Sequence, residues 1–195
     1  MMMKKVFISV FLVVMATGIS QAKSKQISEQ NGCFTVGYNN GLSKGSFTPE
    51  LPLITTCGKE STLRKISDPV RIIAFLESDR PDCNMVNAKL TELANYFKKY
   101  EFVSVVQVTV PMGKCNEIAD YCVCTHTCSR LLLLCDQNGI ATRAYKYPRP
   151  NTVYLINEQN KIVGIGTLDC LGRLRKKAQR MSDEIRRTFD DHFLG

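Results

Sequence analysis

The chain has 195 residues, 44% of them hydrophobic and 23% charged, with a formal net charge of +8. This composition excludes a disordered chain and a protein embedded in membrane throughout its length, and it predicts one domain with a core of ordinary size. Nine cysteines are more than such a domain needs as staples, and an odd number leaves at least one for something other than an intramolecular disulfide.

Lys4 and Lys5 precede an apolar run from Val6 to Ile19, and Ser20-Gln21-Ala22 supplies small residues at the two positions a signal peptidase reads. The pattern predicts a secretory signal peptide over residues 1–22, because the run falls short of the about 20 apolar residues a spanning helix needs. All nine cysteines lie beyond the cut, and removing Lys4 and Lys5 takes the charge from +8 to +6. The expected destination is periplasmic or extracellular, where disulfides persist.

Residues 23–46 are rich in Ser, Gln, Asn and Gly and are expected to form a flexible lead-in, with the folded domain covering 47–195. Val70 to Leu76 is a short, nearly continuous apolar run, the pattern of a strand buried on both faces. Ser78-Asp79-Arg80-Pro81 then announces a helix, with a side-chain cap and a proline suited to the first turn. Val86, Leu90, Leu93, Phe97 and Tyr100 give that helix one apolar face. Phe102 to Val110 is valine-rich and predicts a second buried strand, stopped by Pro111 and Gly113.

A cysteine-rich insertion over 112–130 interrupts the rhythm. Leu131 to Leu134 predicts a strand, Asp136-Gln137-Asn138-Gly139 a turn, and Ile140 to Tyr145 a brief helix. Thr152–Ile156 and Lys161–Ile165 flank Asn157-Glu158-Gln159-Asn160 as a hairpin. The last segment places Leu171, Leu174, Ala178, Met181, Ile185 and Phe189 at steps of three and four, an amphipathic helix. Its other face carries Arg173, Arg175, Lys176, Lys177, Arg180, Arg186 and Arg187. A solvated face explains these charges, and weak contact with an anionic membrane surface is the alternative. Nucleic-acid binding is not expected, since no aromatic platform lies among them.

A β-α-β unit followed by a hairpin and a helix predicts an α/β fold, a mixed central sheet flanked by helices. Three stretches resemble the thioredoxin-like superfamily: Phe75-Leu76-Glu77-Ser78-Asp79-Arg80-Pro81-Asp82-Cys83, Leu134-Cys135-Asp136-Gln137-Asn138-Gly139, and Pro150-Asn151-Thr152-Val153-Tyr154-Leu155-Ile156-Asn157. Within it the chain is similar to the redoxin branch, the exported TlpA-type thiol–disulfide proteins and the AhpC/TSA peroxiredoxin relatives, over about residues 47–190.

The resemblance implies a reactive cysteine in the first turn of the helix after the first core strand, where backbone N–H groups and the helix dipole stabilise a thiolate. Cys83 occupies that turn, but Val86 stands three residues after it and Arg80 three before, so there is no C-x-x-C. On the family pattern F-x-x-x-x-C-P-x-C, Phe75 and Pro81 fit, Cys83 takes the second cysteine, and Arg80 replaces the first. The peroxiredoxin pattern P-x-x-x-T-x-x-C meets Leu76 and Arg80 instead of Pro and Thr, and Asn87 excludes the C-x-x-x-C of copper-delivery relatives.

What remains is a lone cysteine near a guanidinium, both features favouring the thiolate. Turnover then requires a resolving thiol elsewhere, with Cys115, Cys122, Cys124 and Cys128 as candidates. Cys122, Cys124 and Cys128 with His126 offer ligand types for Zn(II) or Cu(I), but C-x-C-x-H-x-C lacks the C-x2-C knuckle, and disulfides explain the same cysteines better. No metal site and no cofactor is therefore expected.

Cys33 and Cys57 read as tethers for the lead-in, Cys135 as a core residue, and Cys170 has no assigned role. The resemblance also implies a substrate-binding cis proline ahead of the hairpin, for which Pro150 is the candidate and Pro148 or Asn151 the alternatives. The function expected is thiol–disulfide exchange through Cys83, acting on protein thiols or disulfides or on a small thiol or peroxide. A non-catalytic module stapled by disulfides and Cys/His metal handling are the alternatives.

Overall fold

The computed structural model describes residues 29–30, 33–34, 42–56, 58–77, 83–110, 131–145 and 152–193. The strands are β1 (Glu29–Gln30), β2 (Cys33–Phe34), β3 (Leu53–Thr55), β4 (Glu60–Ser61), β5 (Val70–Glu77), β6 (Val103–Val110), β7 (Leu131–Cys135), β8 (Thr152–Ile156) and β9 (Ile162–Thr167). Three α-helices accompany them, α1 (Cys83–Phe97), α2 (Ile140–Tyr145) and α3 (Leu171–Phe193), with 3-10 turns at Leu63–Lys65 and Leu168–Cys170. β1 and β2 form a separate ribbon; the others form one sheet in the order β4-β3-β7-β6-β5-β8-β9. β5, β6 and β7 are parallel, while β8 runs antiparallel to β5, β9 to β8 and β3 to β7.

The continuous apolar runs are explained by a sheet covered on both faces. Along β5, Val70, Ile72, Ala74 and Leu76 join one core cluster with Val86, Leu90, Leu93 and Phe97 of α1 and Leu174 and Ala178 of α3. Ile73 and Phe75, pointing the other way, pack with Val106, Val108, Tyr154, Leu53, Leu63, Ala141 and Tyr145. Phe75, Tyr145 and Tyr154 form an aromatic triad there, with ring centroids 4.8, 5.1 and 6.0 Å apart. Burial among these rings raises the Tyr145 phenol above its ordinary pKa.

The polar residue near the start of β5 is buried as well. Arg71 is 3% exposed, and its guanidinium donates to the Leu63 carbonyl at 3.0 Å, the Asn157 carbonyl at 3.0 Å and Asn160 Oδ1 at 2.7 Å. One side chain thus ties the 3-10 turn and the β8–β9 turn to the start of β5, and burial lowers its pKa from the ordinary arginine value. Asn160 holds a φ of 60°, a conformation asparagine tolerates in a tight hairpin.

The Asp136–Gly139 turn is built as its residues require. Gly139 has a φ of 63° and donates its N–H to the Asp136 carbonyl at 3.0 Å, and Asp136 Oδ2 accepts the Thr142 N–H at 2.7 Å in the first turn of α2.

Helix α3 approaches β9 closely because Gly164 and Gly166 lack side chains. A Cβ on Gly164 would lie 2.8 Å from Leu174 Cδ2 and 3.3 Å from Leu155 Cβ. Gly164→Val is therefore expected to destabilise the domain by about 1–3 kcal/mol through overpacking, read as a lower urea midpoint at unchanged slope.

Several expectations are refined here. Residues 42–46 belong to the expected lead-in, yet Gly45 donates to the Ile162 carbonyl at 2.7 Å and Ile162 to the Ser46 carbonyl at 2.9 Å, so this end of it is laced to β9. The composition of 23–46 also gave no sign of the strands at Glu29–Gln30 and Cys33–Phe34. Phe189, placed on the apolar face of the last helix, is 53% exposed.

The basic face of α3 is partly engaged with its own domain. Arg175 lies 4.5 Å from the Tyr96 ring centroid, Lys177 Nζ donates to the Val163 carbonyl, and Arg186 pairs with Glu101 at 3.5 Å. Tyr96 donates its hydroxyl to Gln179 Oε1 at 3.0 Å, a further tie between α1 and α3.

Candidate functional site

Strand direction brings the ends of several elements to one end of the sheet. β5, β6 and β7 finish there with Glu77, Val110 and Cys135. Because β8 opposes β5 and β9 opposes β8, β9 finishes there too, with Thr167 paired across from Thr152, the first residue of β8. The turn Leu168–Cys170 follows directly.

Helix α1 starts at this end and runs back over the sheet, so that the Phe102 carbonyl, beyond its last turn, accepts the Val70 N–H at 3.0 Å at the opposite end. Its first residue is Cys83. The helix dipole favours negative charge at that position, and among the described residues of the first turn none is acidic. Two residues on, Met85 is 50% exposed, an apolar side chain left in solvent at the same end, while Val86 is 1% exposed and anchors the turn in the core.

Cys135, at the end of β7, is 4% exposed. Alternation along β7 puts it on the face of Leu131 and Leu133, which pack in the cluster formed with α1. The expectation of a core residue holds for its burial, and the residue is also disulfide-bonded, as is Cys170. The role of Cys170 was open in the sequence; strand order now brings it to the same end of the sheet as Cys83.

The other site residues expected from sequence, Arg80, Pro81, Cys115, Cys122, Cys124, Cys128, His126 and Pro150, lie outside the described residues, and for Cys83 the description covers the backbone. The structure therefore brings together Cys83, Cys135, Cys170 and Thr152 at one end of the sheet. Met85 and Cys170 were missed, although the six-residue strand before Cys170 and the helix after it already implied a sheet-end position. Among the described residues no group of three or more His, Cys, Asp or Glu side chains is arranged to hold a metal ion. Also among them, no helix is long and apolar enough to cross a membrane.

No family model matches the sequence, and no curated protein matches it. Solved structures do. The C-terminal domain of a proposed thiol-disulfide oxidoreductase from Bacteroides thetaiotaomicron superposes with a TM-score of 0.59 at 18% identity, covering 73% of this chain and 97% of that one. The fold is thioredoxin-like. A proposed thiol:disulfide interchange protein DsbE from Chlorobium tepidum gives a TM-score of 0.57 at 19% identity over 70% of this chain and 98% of that one. A peroxiredoxin-like protein from Aquifex aeolicus gives 0.56 at 16% identity, over 72% and 88% respectively. The structures that share this fold thus include both thiol–disulfide and peroxiredoxin-like proteins, and the thioredoxin-like fold is the one the sequence stretches led us to expect.

Proposed function

We propose that this thioredoxin-like domain performs thiol–disulfide exchange in an exported compartment, with Cys83 as the attacking thiol and a second cysteine, distant in sequence, resolving the mixed disulfide. The observation that carries the reading is the position of Cys83 as the first residue of the helix that follows the central strand β5. There the helix N-terminus stabilises the thiolate, which is the nucleophile. Met85, half exposed in the same first turn of α1, gives an unfolded or extended protein substrate an apolar contact at this end of the sheet. Arg80 adds positive charge three residues before the thiol, and Pro150, two residues before β8, is assigned to the substrate backbone.

Export is supported by the basic-then-apolar leader at Lys4 to Ala22 and by disulfides at Cys135 and Cys170. The activity is tested by insulin reduction with dithiothreitol and the purified domain starting at Lys23. Precipitation of the insulin B chain earlier than in the protein-free control supports the proposal; superimposable traces overturn it. Peroxide consumption measured in parallel separates the peroxiredoxin-like form of the chemistry from protein disulfide exchange.

A further inference from the structure

A lone helix-start thiol completes a reaction cycle when a second thiol reaches its sulfur. Two cysteines share the sheet end with Cys83, and their surroundings differ. Cys135 closes β7, two strands from β5, with Ile54 of β3 as its pairing partner on the outer side. Cys170 closes the turn after β9, and α1 itself is held against that turn. Lys89 Nζ contacts Asp169 Oδ1 at 2.6 Å, and Leu168, 4% exposed, packs in the cluster containing Val86, Leu90 and Leu93.

Cys83 lies six residues before Lys89, about 9 Å further along the helix axis towards the sheet end. It stands seven residues, two helical turns, before fully buried Leu90. The cysteine at the end of the turn that grips α1 is also in a disulfide.

From this placement we infer that Cys170 is the resolving partner of Cys83 and that the two form the domain's redox-active disulfide. The inference rests on the exchange function proposed above and names the second thiol. In the reducing direction the Cys83 thiolate attacks a substrate disulfide, forming a mixed disulfide and expelling one substrate thiolate. The Cys170 thiolate then attacks Cys83 Sγ, expels the second substrate thiolate and leaves Cys83–Cys170 oxidised. The substrate gains two electrons and the protein dithiol loses two, the two thiol protons passing to the released thiolates; a dithiol reductant restores the starting state. A pair 87 positions apart in sequence takes the place of C-x-x-C.

The test uses the domain starting at Lys23, reduced, desalted and exposed to oxidised glutathione as probe. Peptide mapping under non-reducing conditions is expected to find Cys83 linked to Cys170. In Cys170→Ser the glutathione adduct on Cys83 is expected to persist, its release slowed at least about tenfold, because an intramolecular thiol competes at high effective concentration. Cys135→Ser is expected to release glutathione at the parent rate.

A Cys83 linkage to Cys135 or to a cysteine of 115–128, or release at the parent rate in both Cys170→Ser and Cys170→Ala, overturns the inference while leaving the exchange function standing. Absence of any adduct on Cys83 in Cys170→Ser, with insulin reduction intact, removes Cys83 itself and so overturns both. Circular dichroism of each variant confirms that a lost linkage is not a lost fold.

Discussion

Cys83→Ser is expected to bring dithiothreitol-dependent insulin reduction down to the uncatalysed rate, a loss of at least about 100-fold in the catalysed term. A serine hydroxyl does not ionise near neutral pH and does not attack sulfur, so the substitution removes the nucleophile while changing one atom. Folding is expected to survive, since α1 is fixed in the core by Val86, Leu90, Leu93 and Phe97, all at most 4% exposed. The comparison is informative because C-x-x-C is absent: Arg80 stands at the first cysteine position of the F-x-x-x-x-C-P-x-C pattern that Phe75, Pro81 and Cys83 resemble. A variant with parent activity and an unchanged melting curve would show that the reaction uses another cysteine.

The second large effect is on stability. Arg71→Met keeps the length and apolar stem of the side chain and deletes three hydrogen bonds, to the Leu63 and Asn157 carbonyls and to Asn160 Oδ1. Hydrogen bonds from a charged donor contribute about 1.5–3 kcal/mol each, and a buried acceptor left unpaired costs about 1–3 kcal/mol. Against this, the variant no longer buries a guanidinium, whose desolvation is visible in its lowered pKa. The net expectation is a loss of about 3 kcal/mol, or a fall of about 6–12 °C in Tm for a domain of this size. Arg71→Lys is expected to lose almost as much, because one ammonium cannot span three acceptors on two separate turns. Urea denaturation of both variants measures the effect; parent-like stability in Arg71→Met would show that the clamp contributes nothing net.

Arg71 also marks the boundary between what pattern conveys and what packing decides. In the sequence it interrupts an apolar run at Val70-Arg71-Ile72 and looks like an outward-facing residue at a strand start. Its burial follows from the β8–β9 hairpin folding beside β5 and the turn at Leu63–Lys65 closing over it, contacts 86 and 8 residues away in the chain. Strands β3 and β4 escaped notice for a similar reason. Leu53–Thr55 and Glu60–Ser61 are too short for a period, and they exist because β7 offers an edge to pair with.

The cysteines show the same division. The odd count, the position of Cys83 at a helix start and the lack of C-x-x-C are local facts, fixed by spacing alone. So were β5, α1, β6, the Asp136–Gly139 turn, the hairpin and the basic helix, because continuous apolar runs and three-to-four periodicity are set by which residues must leave water. No such rule relates Cys83 to Cys135 and Cys170, 52 and 87 positions further on. Their arrival at one end of the sheet depends on the parallel pairing of β5, β6 and β7 and on the two reversals through β8 and β9. The sequence by itself determined the central elements from β5 onward and showed that Cys83 has no C-x-x-C partner. Only the tertiary structure decided which thiols share its end of the sheet, because strand pairing is cooperative over the whole sheet and leaves no local mark on a cysteine.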